Sequence, residues 1–242
     1  MTLLRRTATA LRRQDWATVF VESALVVFGV MIALQASNWN TARVIKSGAE
    51  NTLTRLHGEV EVNIASMDDR IAAIERSDTV RREALLALKN CDASPEAQET
   101  LGSAIGSLTG DIVPSFVDNS LRELARRDQF LDLLSNDFRE ALNIYSGRLS
   151  DERDQLNTNF GLMWDHHIMN NPMVGMTLMA DMSANTFIFN EPMDVLCKDL
   201  VFPRQFAMTN VWHRSAVLRM ERFKKWSEEF LESIEKESGT IK

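Results

Sequence analysis

Twenty consecutive residues, Ala17 to Ala36, read ATVFVESALVVFGVMIALQA, and Glu22 is the only charge among them. A helix rises about 1.5 Å per residue, so this run is long enough to span the roughly 30 Å of bilayer hydrocarbon. Trp16 and Trp39 bracket it, where amphipathic rings favour the headgroup level. The pattern predicts one transmembrane helix over residues 16–39, preceded by a short basic N-terminus, residues 1–15. A buried helix of a soluble protein rarely stays apolar around its whole circumference over such a length. A cleaved signal peptide is the other reading, but the run is too long for one. Its one cleavage-like spot, Leu34 to Ala36, also offers a bulky leucine where a small residue is wanted. An uncleaved anchor is expected.

Beyond the anchor the pattern changes to helical periodicity. Leu53, Leu56, Val60, Ile64, Met67, Ile71 and Ile74 recur at steps of three and four, predicting a long helix from about Ala49 to Asn90 with Gly48 as its weak point. Ser94-Pro95-Glu96 combines a capping hydroxyl, a first-position proline and a first-turn acid, and so opens a second helix that ends near Gly110. Leu121 to Leu134 reads as one or two short helices. Ser135 caps a long helix carrying Phe138, Leu142, Tyr145, Leu149, Leu156, Phe160 and Met163 in register, and Asn171-Pro172 stops it. A last helix, Arg204 to about Glu237, buries Ala216, Met220, Phe223, Ser227, Phe230 and Ile234. Thr186 to Phe189 is the one stretch that reads as extended. The expected fold is all-α: an elongated antiparallel helical bundle over residues 40–242, behind one membrane helix.

Charge gives this layout an orientation. Arg5, Arg6, Arg12 and Arg13 precede the apolar run, against Arg43 and Lys46 after it, which places the N-terminus in the cytoplasm and the helical domain in the periplasm of a bacterial inner membrane. The formal net charge is −7, and from residue 47 onward 21 basic side chains face 32 acidic ones. So acidic a domain is repelled by phosphate backbones, which excludes nucleic acid as a natural partner.

The segment ESALVVFGVMIALQASNWN, an acid early in an apolar helix that IALQ-x-x-NWN closes, resembles the start of an uncharacterised family of bacterial single-pass membrane proteins. Asn119 to Leu149, NSLRELARRDQFLDLLSNDFREALNIYSGRL, is similar in pattern to that family's middle portion. Thr41 stands where the family carries an acid after NWN. The resemblance implies the same single-pass topology, and it brings no activity with it.

Candidate chemistry is sparse. No nucleophile elbow, phosphate loop or dinucleotide fingerprint is present, and none of the four histidines has an acid three residues before it, as helical di-iron sites require. No catalytic residue and no cofactor are expected. Met173, Met176, Met179 and Met182 recur every three residues after His166 and His167. Thioethers favour Cu(I), so these six side chains are the candidate metal ligands, with core packing as the blander role. On a helix, steps of three spread the sulfurs over half the circumference. Gly102, Gly106 and Gly110 recur every four residues and read as small residues that face a neighbour. Cys91 and Cys197 form an even pair in an oxidising compartment, either bridged or separately buried. Glu22, Gly29, Ala33 and Ala36 share one face of the membrane helix and make a candidate pairing surface for two copies. The sequence thus points to a non-enzymatic helical domain anchored in a lipid bilayer, serving a protein partner or homo-oligomer as scaffold or sensor. Copper handling on the same bundle is the alternative.

Overall fold

The computed structural model describes residues 16–110, 112–177 and 186–240 and is all-helical apart from one small hairpin. The chain divides into two units, up to Asn51 and from Thr52 onward. Helix α1, Trp16–Arg76, contributes to both. In the first unit its apolar side chains from Phe20 to Leu34 lie exposed, and the Arg43 guanidinium stands 5.9 Å from the centre of the Trp39 ring. Among the described residues this is the one helix long and apolar enough to cross a membrane.

In the second unit three long stretches share a core: α1 from Thr52, α6 (Asn136–Asp165) and α8 (Phe202–Thr240). Leu53, Leu56, Val60 and Met67 of α1 are buried, as are Phe138, Leu142, Tyr145 and Leu149 of α6 and Met220, Phe223, Phe230 and Ile234 of α8. The Tyr145 ring stacks on Phe230 at 4.2 Å and on Phe223 at 5.8 Å. Polar pairs fix the register. Glu152 holds Arg219 through two hydrogen bonds of 3.0 and 3.1 Å, and Ser135 meets Glu237, so α6 and α8 run antiparallel. Asp68 pairs with Lys224 at 2.6 Å and His57 with Glu235 at 3.5 Å, so α1 and α8 do too. Hence α1 and α6 point the same way.

The expected helix from Ala49 to Asn90 breaks at Ser77, where the backbone turns and restarts as α2 (Asp78–Asn90). No proline or glycine marks the break. Its partners are local: Asp78 pairs with Arg82 in the new first turn, and Arg81 donates to the Ile74 carbonyl that ends α1. Helix α3 (Pro95–Ser107) opens as its cap predicts, with the Ser94 hydroxyl accepting from the N–H of Ala97 at 3.2 Å. It packs back on α2.

Residues 112–118 form no regular element, and three side chains of α1 strap residues 115–120 along it. Ser66 accepts from the N–H of Ser115, Asn63 accepts from the N–H of Val117 and donates to its carbonyl, and Glu59 accepts from the N–H and hydroxyl of Ser120. Two short helices follow, α4 (Asn119–Arg126) and α5 (Asp128–Leu131).

A second cluster forms a head. Ala84 and Leu88 of α2, Leu101 and Ile105 of α3, Ile168, and Phe202 and Phe206 of α8 pack together, with Met193 and Leu196 of the one-turn α7 (Met193–Leu196). Strands β1 (Val174–Thr177) and β2 (Thr186–Phe189) pair antiparallel, Val174 against Phe189. Gly102 and Gly106 admit this hairpin: a Cβ at Gly106 would lie 3.3 Å from the Phe187 ring and one at Gly102 3.5 Å from the Phe187 carbonyl. The glycine spacing therefore serves a strand. Cys91 and Cys197 are joined in a disulfide, Cα atoms 5.4 Å apart, tying the end of α2 to the end of α7.

Candidate functional site

The residues picked out as candidate metal ligands do not converge in the described part of the chain. Residues 174–177 are a strand, so the helical geometry assumed for the methionines does not hold. Met173 is half-buried against the head core and Met176 is exposed opposite Phe187, while Met179 and Met182 lie outside the described residues. His166 is exposed, its ring 6.4 Å from that of Trp212. His167 is buried, its Nε2 bonding the Leu108 carbonyl at 2.8 Å while Nδ1 accepts from the N–H of Met169. The adjacent pair thus parts just beyond the end of α6, where His166 closes the helix and the backbone turns extended at His167. Among the described residues no group of three or more His, Cys, Asp or Glu is placed to hold a metal ion. Glu22, Gly29, Ala33 and Ala36 are all exposed in the first unit, with open space where a Cβ at Gly29 would stand.

Two features that sequence reasoning missed stand out in their place. The first is a buried basic cluster where α2, the end of α3, the turn after α6 and α8 meet. Arg81 is buried with only one Nη engaged, on the Ile74 carbonyl, and Asp78 lies 3.8 Å away. His213 of α8 is buried with no hydrogen-bond partner at either ring nitrogen. Burial, then the facing charges of Arg81 and His167, push its pKa down to about 4, opposed by the Leu108 carbonyl. His167 is pushed down by burial as well. The cluster favours neutral imidazoles beside a fixed guanidinium.

The second is the outer face of α8. Opposite the buried face, Val201, Arg204, Met208, Val211, Ser215 and Leu218 follow one another at steps of three and four, and all are exposed. Leu200 is 88 % exposed, Val201 60 %, Val211 56 %, Leu218 50 % and Met208 44 %, values that leave a second apolar stripe in water. At its start Leu200, Val201, Met208 and Trp212 line a groove of about 500 Å³ with His166 and Arg204 at its edge. Further along, the same face carries Arg222, Lys225, Glu229, Glu232 and Lys236, so the apolar character ends at Leu218. A signal for it existed, since the helix opens with apolar residues on two faces rather than one.

No protein-family model, no curated protein and no solved structure matches the chain.

Proposed function

We propose that this protein is a single-pass, membrane-anchored interaction domain, its N-terminus in the cytoplasm and its helical domain, residues 40–242, in the periplasm. The observation that carries the reading is the apolar half of α1, whose membrane-length window is unburied among the described residues. Ten large apolar side chains between Phe20 and Leu34 stand exposed there. Burying each is worth roughly 1.5–3 kcal/mol, so together they call for on the order of 20 kcal/mol of burial that the described residues do not supply. A lipid bilayer would supply it. The arginine bias and the resemblance of the IALQ-x-x-NWN segment to single-pass proteins support the same topology. The role of the outer domain is interaction, because its distinctive surface is an exposed apolar stripe.

The test is fractionation. Membranes of a bacterium expressing the chain, washed with alkaline carbonate, should retain it, and Val27→Arg with Phe28→Arg should release it to the soluble fraction. A periplasm-only reporter fused after Lys242 should be active. Release of the wild type by carbonate, or activity of a cytoplasm-only reporter, overturns the proposal.

A further inference from the structure

We infer that the outer face of α8 up to Leu218, together with Leu200 and Val201 just before it, is a docking seam for an amphipathic helix of another protein, one whose apolar stripe is flanked by acidic side chains. The inference rests on the interaction role proposed above and gives it a surface and a partner chemistry. Val201, Met208, Val211 and Leu218 recur at steps of seven, three and seven, with Arg204 and Ser215 at the seam positions between, which repeats the spacing of a helix pair, so the occupant whose geometry matches is a helix lying along α8. The groove beside Trp212 would seat a large side chain of that helix.

Charge selects the partner. Every exposed charge on α8 between Leu200 and Arg222 is Arg204, Arg214, Arg222 or Glu221, a basic balance within a domain that is otherwise strongly acidic. Laying this face on a second copy of itself in parallel would set Arg204 against Arg204, and like charges placed together at an interface oppose pairing. Carboxylates beside a partner's apolar stripe would instead meet Arg204 and Arg214. The stripe ends where the charged outer half of α8 begins, which limits the seam to about five helical turns.

The experiment uses the full chain in lipid nanodiscs and two labelled synthetic helices of about three heptads, both with leucine at the seam positions, one flanked by glutamates and the other by lysines. The glutamate peptide should bind saturably and at least about tenfold more tightly than the lysine peptide, with affinity falling as salt rises. Met208→Asp with Val211→Asp should abolish binding while the helical circular dichroism and melting curve stay as in the wild type. Arg204→Glu with Arg214→Glu should reverse the preference between the peptides. Equal binding of both peptides, binding of neither, or binding equal to that of empty nanodiscs overturns the inference. So does a Val211→Cys chain already shielded from a water-soluble maleimide without peptide, since a second copy or lipid would then cover the face. Failure of the peptides to bind a chain that carbonate leaves in the membrane removes the seam and spares the anchor.

Discussion

The carboxylate of Glu237 accepts two hydrogen bonds from Ser135, one from its N–H at 2.8 Å and one from its hydroxyl at 2.6 Å, across 102 residues of sequence. The same hydroxyl accepts from the N–H of Phe138 and so caps α6. One serine thus starts a helix and receives the end of another. Glu237→Ala should cost about 1–3 kcal/mol, because it removes both hydrogen bonds that a buried carboxylate makes to the cap of α6. Urea unfolding followed by circular dichroism measures this, and the double variant with Ser135→Ala should fall short of the sum of the single changes.

Acid should loosen the head. The unfolded chain titrates His213 near 6.5, while the folded protein holds it to about 4. As pH falls the unfolded state takes up the proton first, so the contribution of His213 is complete above about 6.5 and is lost on the way down to about 4. It amounts to on the order of 3 kcal/mol, and His167 acts in the same direction. Equilibrium unfolding at a series of pH values should show this slope, and His213→Leu should flatten it. An unchanged slope in that variant would show that other groups set the acid response.

The disulfide should matter thermodynamically and locally. Replacing both cysteines by serine, or adding reductant, should lower stability by roughly 2–4 kcal/mol, since the bridge closes a long loop. Cys91 also adopts a left-handed backbone, φ 50°, at the end of α2, where its N–H caps the Ala87 and Leu88 carbonyls. In a Cys197→Ala background, Cys91→Gly should therefore be more stable than Cys91→Ala by about 0.5–1 kcal/mol. Denaturant midpoints of the two chains make the comparison directly.

If two copies meet in the membrane, the face carrying Glu22, Gly29, Ala33 and Ala36 is where their backbones can approach. Gly29→Leu should then weaken association of the segment from Arg12 to Arg43 in a membrane two-hybrid assay. Val30→Leu, about 100° around the helix, should leave it unchanged. Equal signals from wild type and Gly29→Leu would assign no role to that face.

The helix starts at Ser94 and Ser135 were legible because capping is local chemistry: a hydroxyl with an acid in the next turn, joined at Ser94 by a proline, leaves the backbone few choices. The break at Ser77 was not, because its partners are an aspartate and two arginines that would sit equally well on an unbroken helix surface. Val174 to Thr177 hid behind a methionine spacing that mimics a helix, and its strand identity depends on pairing with Phe187, ten or more residues away. Pattern could nominate Cys91 and Cys197 as a pair and could not bring them together, since their separation depends on how α2 and α7 pack. The outer stripe of α8 was present in the letters from Val201 to Leu218. Only packing distinguishes it from the face that Phe202, Phe206 and Phe223 bury.

The strap over α1 has a consequence for observing motion in this domain. Ser66, Asn63 and Glu59 lie on one face of a helix at steps of three and four, yet they do for residues 115–120 what a neighbouring strand does for a sheet edge. The amides of Ser115, Val117 and Ser120 are held by side chains, and a side chain lets go without a turn of helix melting. Hydrogen exchange at those three amides therefore times the lifting of the strap from α1, a clock separate from the unfolding of the helices themselves.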